Sequence, residues 1–475
     1  MLPTAVGVTW AGTKVLTDAP RHRAARPTVR VRFLSPAAAA AQHGRREHLV
    51  EISGEQATQP GTWGIRVGDS FVQVGPAISR YRDDEQVLWA VRPFREIDGT
   101  APTWEATGDR RREDRDRRAR DAAAESPTTA DVDDAQLALT GPRDRRRLRR
   151  DRRRHAAQPP WPHDAVMTHY AWPDDPQVLA RHHDARWEIE AIPTSGGHLP
   201  AWRFTPKGPR DTWVIGVHGR GAQRTELYRL IGLCLEARLP SLVVSYRTDQ
   251  WTAQPARLTT LGTTEWRDVE AAMQLAMSRG ARRVILAGFS MGGAIVAMTV
   301  RRSEFAGAVA GVILDSPALD WGPTLRHVAT VRHVPRGIVP VVMLLARARA
   351  RVDWAGLNQV ASAGEFVHPI LLVHGTGDEV TPIWLSDALA EARPDLVTYL
   401  RVEGAGHVKA WNVERARYEQ AVLGFLDVVA GRPGHWRDRL PPNAGAAPIG
   451  DRRMLPVPRP AVSSGALRLW LPPPG

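Results

Sequence analysis

The sequence predicts an α/β protein in which a mostly parallel eight-stranded sheet is covered by helices and preceded by a small β-rich module. Two observations predict this fold class. Strand-like and helical segments alternate through the second half of the chain, and the middle strands are nearly continuous runs of Val, Ile and Leu. Such runs are typical of strands buried on both faces of a parallel sheet. With 475 residues, the chain is long enough for one large domain and a smaller one.

The first part of the chain is predicted to hold the small module. We expect residues 1–27 to be disordered and residues 28–99 to form an all-β unit, because short β-like runs alternate there with turn residues such as Gly68-Asp69. The predicted strands are residues 29–34, 48–52, 63–67, 71–74 and 87–91.

Residues 100–162 are rich in Arg and Asp and contain almost no large apolar side chains. A segment of this kind buries too little apolar surface to offset its ordering entropy, so we predict a disordered linker. The Pro-rich tail, residues 431–475, is expected to be disordered as well.

The chain carries a formal net charge of +13 and has a sequence pI of about 10.8. The surplus lies mainly in the linker and at the two ends, since residues 143–154 alone hold nine Arg against two acids. Binding of nucleic acid or another anionic surface through this Arg-rich segment is a lesser alternative function, because interleaved acids weaken its field.

Residues 163–430 are predicted to form the large α/β domain. Its predicted strands are residues 187–192, 201–205, 213–217, 242–246, 283–287, 311–314, 370–373 and 398–402. Its predicted helices are residues 225–238, 264–279, 291–302, 383–393 and 413–428. The stretch 318–366 is longer than a plain crossover helix and predicts either a cap over a site or a longer surface helix pair.

The segment from Arg283 to Gly293 predicts a catalytic nucleophile. It runs a buried strand into Gly288-Phe289-Ser290-Met291-Gly292 and then directly into a helix. A Ser at a sharp strand-to-helix turn has its hydroxyl exposed, and the helix N-terminus points N–H groups at the position where negative charge develops. Ser290 is therefore the candidate nucleophile.

A second glycine turn follows strand 213–217, at His218-Gly219-Arg220-Gly221. Such a turn supplies an oxyanion donor in folds that carry a nucleophile elbow. We predict that the main-chain N–H groups of Arg220 and Met291 form the oxyanion hole.

Four motifs, in this order along the chain, resemble those of the α/β-hydrolase superfamily. They are His218-Gly219-Arg220-Gly221, Gly288-Phe289-Ser290-Met291-Gly292-Gly293, His374-Gly375-Thr376-Gly377-Asp378 and Gly404-Ala405-Gly406-His407. The resemblance is greatest to the prolyl-oligopeptidase-like and serine-aminopeptidase-like bacterial branch, and it covers about half of the chain. It implies an α/β-hydrolase fold and the hydrolysis of an ester, thioester or amide.

In this fold the triad runs Ser, acid, His along the chain. His407, in a small-residue loop after the last strand, is the predicted base, and His374 is expected to be a packed, hydrogen-bonded residue. Asp378 follows the penultimate strand and is the predicted acid. Asp315 is the rival acid, although Asp315-Ser316-Pro317 favours a turn that supports the site.

Low-ranking candidates for substrate contacts are His218, Gly219 and Arg247. Arg247 or Arg220 would bind an acidic group of the substrate, and the competing interpretation is an Arg247–Asp249 ion pair that orders the loop.

The predicted function is a serine hydrolase that cleaves carboxylic esters or thioesters through an acyl-enzyme intermediate. The alternative is a serine peptidase or amidase that acts on a short peptide. No cofactor and no metal site are expected, and the single cysteine, Cys234, is predicted to be a buried thiol. The sequence shows neither a signal peptide nor a transmembrane segment, so a cytoplasmic protein is expected. The oligomeric state is left open.

Overall fold

The structure of the protein is a computed structural model. It describes residues 13–14, 16–18, 28–34, 48–67, 70–83, 86–96, 163–168, 174–249, 252 and 256–431. The predicted linker at 100–162 and nearly all of the predicted tail lie outside the described residues.

Seven antiparallel strands form the small β module. They are β1 (Thr28–Leu34), β2 (Leu49–Ser53), β3 (Trp63–Val67), β4 (Ser70–Val74), β5 (Ser79–Arg82), β6 (Leu88–Glu96) and β7 (His163–Thr168). Their order is β2-β1-β7-β3-β4-β6-β5, and a further pairing of β2 with β6 closes six of the strands into a ring. The ring encloses its own apolar core, which includes Val31, Ile52 and Ile65.

Strand β7 departs from the sequence-based division of the chain, which assigned residues from 163 onward to the large domain. It pairs with β1 on one side and β3 on the other, and therefore belongs to the module. Without β7, the edges of β1 and β3 would present unpaired backbone groups, which an all-β unit must cover or close. The sequence analysis also missed β5, a four-residue strand without alternating apolar residues.

Eight strands build the large sheet, and they match the eight predicted strands within a few residues. They are β8 (Arg186–Thr194), β9 (Gly197–Thr205), β10 (Thr212–Val217), β11 (Ser241–Val244), β12 (Arg283–Phe289), β13 (Val309–Asp315), β14 (Ile370–Gly375) and β15 (Val397–Val402). The order is β15-β14-β13-β12-β10-β11-β9-β8, with β9 antiparallel to both β8 and β11 and the other five neighbouring pairs parallel. The predicted mostly parallel eight-stranded sheet is confirmed.

Nine helices belong to the described part of the chain. They are α1 (Pro176–His182), α2 (Tyr228–Glu236), α3 (Trp266–Ser278), α4 (Met291–Arg302), α5 (Trp321–Val331), α6 (Ile338–Ala350), α7 (Ile383–Ala392), α8 (Ala410–Val413) and α9 (Arg415–Val429). None of the described helices is both long enough and apolar enough to span a bilayer.

The helices bury both faces of the large sheet. Ile215 and Leu372 lie in one buried cluster, whereas their neighbours Val214 and Leu371 lie in another. Because successive side chains of a strand point to opposite faces, the two clusters are the two sides of the sheet. Cys234 is fully buried in the second cluster, as predicted, and burial raises the pKa of its thiol to about 12.

The predicted insertion contains helices α5 and α6, and a surface helix pair was one of the two forms expected for it, without helix bounds. These two helices pack against each other, and His327 of α5 has its Nε2 3.2 Å from the main-chain oxygen of Asp378. The insertion therefore reaches the loop that carries the predicted acid.

A short piece of the predicted disordered N-terminus packs on the large domain instead. Leu16 joins the buried cluster on one face of the sheet, and Asp18 forms a bridge with Leu258. Arg349 of α6 donates to Thr17 Oγ1 at 2.6 Å and to Asp18 Oδ1 at 2.5 Å. The burial of Leu16 and these hydrogen bonds offset the entropy cost of ordering the segment, which the prediction of disorder did not take into account.

Candidate active site

Ser290 lies at the turn between β12 and α4, with φ of 54° and ψ of −118°. Positive φ is uncommon for a residue other than glycine, and at functional sites such strain is held by the surroundings. The flanking glycines allow the sharp turn, because a Cβ on Gly288 would lie 2.3 Å from Gly292 O and one on Gly292 would lie 2.2 Å from Val217 O. Every side chain larger than hydrogen is excluded at both positions.

Three predicted side chains meet at the carboxyl edge of the large sheet. Ser290 Oγ lies 2.8 Å from His407 Nε2, and His407 Nδ1 lies 2.8 Å from Asp378 Oδ2. Since an ionised carboxylate accepts but does not donate, the Nδ1–H of His407 donates to Asp378 and leaves Nε2 to accept from the Ser290 hydroxyl. This is the arrangement of a nucleophile, a base and an orienting acid.

The carboxylate of Asp378 is buried and surrounded by hydrogen-bond donors. The main-chain N–H groups of Val380 and Thr381 both donate to Oδ1 at 2.8 Å, and the Thr381 hydroxyl donates to Oδ2 at 2.9 Å. His374 Nε2 lies 3.2 Å from the same Oδ2. Burial by itself would raise the pKa of Asp378, but the hydrogen bonds from His374 and His407 outweigh it and hold the pKa well below its usual range. Asp378 is therefore ionised at neutral pH.

The rival acid, Asp315, is hydrogen-bonded to a tyrosine, whereas the carboxylate partner of His407 is Asp378. Its Oδ2 accepts from the Tyr418 hydroxyl at 3.1 Å, and burial raises the pKa of its carboxyl. Its main-chain oxygen accepts from Ser290 N at 2.9 Å. Ser316, at φ of 48°, accepts from Val408 N at 3.1 Å through its hydroxyl. The turn supports the elbow and the His407 loop, as its sequence suggested.

His218 does not contact the predicted substrate side of the site, because its side chain is fully buried under the glycine turn. Its Nδ1 lies 2.9 Å from Gly219 O and its Nε2 lies 2.8 Å from Asp249 Oδ2. Burial would lower the pKa of His218, but the charge of Asp249 and its hydrogen bond raise it above the usual value. Both ring nitrogens face acceptors, so His218 is an imidazolium that holds the turn.

The glycine turn lies directly against the nucleophile. A Cβ on Gly219 would be 3.0 Å from the Ser290 Cβ, and Gly219 N donates to Glu226 Oε2 at 2.7 Å. The main-chain N–H groups of Arg220 and Met291, the predicted oxyanion donors, therefore belong to two segments that flank Ser290.

The predicted roles of two arginine side chains in binding an acidic substrate group need correction. Arg247 donates to both carboxylate oxygens of Asp268, at 2.7 Å and 2.9 Å, so its ion-pair partner is neither a substrate nor Asp249. Arg220 donates to the main-chain oxygen of Asp18 at 3.0 Å. The side chain of Asp249 is hydrogen-bonded to His218 instead, a pairing that the spacing of residues in the sequence did not indicate.

The loop after His407 is strained and held by residues that sequence reasoning missed. Val408 has φ of 52°, and for a β-branched residue this conformation costs about 1–3 kcal/mol. Arg229 of α2 donates to the Val408 main-chain oxygen at 2.7 Å, and Ser316 accepts from its N–H. Arg229 lies 179 positions from Val408, so no local pattern in the sequence marks it.

The comparisons with known proteins found similarity over part of the chain. A model of the prolyl oligopeptidase family matches residues 251–432, less than half of the chain. An esterase of Pyrococcus furiosus is 19% identical, covers 55% of this chain and 98% of its own, and superposes with a TM-score of 0.44. No match to a curated protein was found.

Two further solved structures are similar at the same level. An α/β serine hydrolase homologue from Coxiella burnetii is 19% identical, covers 50% of this chain and 97% of its own, and has a TM-score of 0.37. A puromycin-hydrolysing peptidase of Mycobacterium tuberculosis is 18% identical, covers 55% of this chain and 42% of its own, and has a TM-score of 0.41.

Proposed function

We propose that this chain is a serine hydrolase of the α/β-hydrolase superfamily that cleaves carboxylic esters or thioesters through an acyl-enzyme formed on Ser290. The observation that carries the proposal is the continuous chain of hydrogen bonds from Ser290 through His407 to Asp378, with 2.8 Å at each step.

Acylation begins when Ser290 Oγ attacks the carbonyl carbon of the ester. His407 Nε2 takes the hydroxyl proton as the bond forms, and Asp378 stabilises the imidazolium that results. The carbonyl oxygen becomes an oxyanion and accepts from the N–H groups of Arg220 and Met291. His407 then returns the proton to the departing alcohol or thiol.

Deacylation repeats these steps with water as the nucleophile. His407 removes a proton from water, the hydroxide adds to the acyl carbon, and the same oxyanion donors stabilise the second tetrahedral intermediate. Collapse of that intermediate returns the proton to Ser290 Oγ and releases the carboxylic acid. Asp378 stays ionised throughout, because its hydrogen-bond donors hold its pKa below the usual range.

The size of the small module supports a small ester as substrate. In peptidases with a β-propeller, repeated blades restrict access to the site. The module here is one seven-stranded sheet built from the described residues 28–96 and 163–168. The alternative, a peptidase or amidase, is favoured by the match to the prolyl oligopeptidase family over residues 251–432.

Paired substrates distinguish the two functions. Neutral short-chain alkyl esters would be compared with aminoacyl amides of similar size, using kcat/KM of wild-type protein and Ser290→Ala as the background control. We expect turnover of the alkyl esters, with kcat/KM at least about 100-fold above that of the amides, which is about 2.7 kcal/mol of transition-state discrimination. Turnover of aminoacyl amides without turnover of alkyl esters would replace the esterase proposal with the peptidase one.

A further inference from the structure

The small β module makes a direct main-chain contact with the segment that follows His407. Thr62 N donates to Asn412 O at 2.7 Å, and Asn412 Nδ2 donates back to Thr62 O at 2.6 Å. Asn412 lies in α8, five positions after His407, and its side chain is fully buried. The two hydrogen bonds fix the position of α8 relative to the module.

The module presents this contact on a rigid loop. The guanidinium of Arg92, fully buried in β6, donates to the main-chain oxygens of Ala57 and Gln59 and, at 2.9 Å, to that of Gly61. It also donates to Gly75 O at 2.7 Å. A buried cation that holds several carbonyl groups fixes the loop shape, because breaking any of these bonds leaves a desolvated polar group.

Gly61 allows the close approach between the two parts. Its φ is +88°, and a Cβ at this position would lie 1.7 Å from Asn412 O. A side chain of any size is therefore incompatible with the contact. Gly54, at the other end of the same loop, has nearly the same φ of +93°, but a Cβ there would meet nothing within 4 Å.

The contact continues from Asn412 to the His407 loop. Asn412 Oδ1 lies 3.5 Å from Arg229 Nη1, and the same Nη1 donates to Val408 O at 2.7 Å. Val408 is the strained residue next to the base, so its conformation depends on these partners.

Further contacts hold the module against the large domain. Phe71 of β4 is 4% exposed and belongs to the same buried cluster as Trp411 and Tyr418. Gln73 Oε1 accepts from Arg415 Nη1 at 2.8 Å. The module therefore docks on the two helices, α8 and α9, that follow the His407 loop.

We propose that the small β module positions the catalytic base: through Thr62, Asn412 and Arg229 it holds the strained Val408 and so keeps His407 within reach of Ser290. The inference rests on the proposed role of His407. Asn412 and Arg229 act as positioning residues, since neither contacts the reacting atoms. Removing the contact loosens the loop and lowers kcat more than it changes KM, because His407 acts in the proton-transfer steps.

Gly61→Ala and Gly54→Ala form a matched pair that tests the proposal. Both put alanine at a similar positive φ, so they share the backbone cost, but only Gly61→Ala collides with Asn412 O. We expect Gly61→Ala to lower kcat about 10-fold or more and Gly54→Ala to change kcat by less than about two-fold. Asn412→Ala, which leaves the module sequence intact, is expected to lower kcat in the same way.

A second readout is independent of activity. Hydrogen–deuterium exchange of peptides that cover residues 403–413 is expected to rise in Gly61→Ala and Asn412→Ala and to match wild type in Gly54→Ala. Equal kcat and equal exchange in the two glycine variants would overturn the proposal. Failure of wild-type protein to hydrolyse any ester or amide would refute the proposed function alone, since the exchange measurement still decides whether the module holds the loop.

Discussion

Ser290 and Val408 are both held at positive φ, one in each of the two segments joined by the hydrogen bond between Ser290 Oγ and His407 Nε2. Neither residue type adopts this conformation without support, so the surrounding contacts determine it. The Ser290 conformation was predictable from Gly-x-Ser-x-Gly between a strand and a helix. The Val408 conformation was not, because its supports, Arg229 and Ser316, come from distant parts of the chain.

The choice of Asp378 rather than Asp315 as the acid partner of His407 can be tested by single substitutions. Asp378→Asn is expected to lower kcat by about 1,000- to 10,000-fold, because an amide at this position no longer selects the Nδ1–H tautomer of His407. Asp315→Asn is the matched control, since Asp315 is also buried but accepts from Tyr418. Ester hydrolysis by purified variants measures both. A large loss in Asp315→Asn with near-normal Asp378→Asn would reverse the assignment.

The lowered pKa of Asp378 predicts the shape of the pH profile. The pKa of Asp378 is lower in the folded protein than in the unfolded chain, where it is about 3.9. The ionised carboxyl therefore stabilises the folded state fully above about pH 3.9, and this stabilisation is lost only as the pH falls from there toward the folded pKa. Protonation of Asp378 therefore plays no part in acid inactivation above about pH 5. Asp378 is expected to add no step of its own to the acid side of a plot of log kcat/KM against pH above about pH 5, which a pH–rate profile measures. A slope of two above that pH would contradict the account.

Among the secondary-structure elements, the hydrophobic pattern of the sequence identified the strands of the large sheet. It did not identify a strand whose pairing partners are distant in the sequence. All eight strands of that sheet were predicted, and the central ones are the clearest because runs such as 284–287 and 370–373 are continuously apolar. Strand β7 was missed, because its partners β1 and β3 precede it by about 100 residues or more. The insertion that holds α5 and α6 was predicted only as a cap or a surface helix pair, without helix bounds, because α6 is apolar over most of its length.

The contact between His218 and Asp249 predicts that the glycine turn after β10 depends on the Asp249 carboxylate. Asp249→Asn is expected to lower kcat about 10-fold or more with little change in KM, because the His218 imidazolium loses its counter-charge and releases the turn that carries Arg220 N. Asp268→Asn, which removes a different buried carboxylate from the neighbouring Arg247, is the control. Steady-state kinetics with one ester checks both, and equal effects in the two variants would argue against a role for the turn.

On the scale of the whole molecule, the module and the large domain share buried surface at Phe71, so we expect them to unfold together. Tryptophan fluorescence, which reports tertiary structure, and far-ultraviolet circular dichroism, which reports secondary structure, should then change in one coincident thermal transition. Phe71→Ala is expected to cost about 3–5 kcal/mol and to separate the two signals. Ile189→Ala, at a side chain that is 66% exposed, is the control and should change neither.

The sequence alone predicted the hydrolase fold and the three residues that meet at the sheet edge, because both depend on local motifs in a known order. It could not predict which side chains hold them. Thr381 and His374 at Asp378, Arg229 at Val408 and Asp249 at His218 are long-range or loop contacts, which the packing of the whole chain determines.

The most direct test of the central claim is covalent labelling of the intact protein with a fluorophosphonate, followed by mass spectrometry of the modified peptide. We expect one adduct, on Ser290, with labelling abolished in Ser290→Ala and strongly slowed in a His407→Ala variant that retains the wild-type circular dichroism spectrum. Unlabelled folded wild-type protein, or an adduct on another serine that persists in Ser290→Ala, would contradict the central claim.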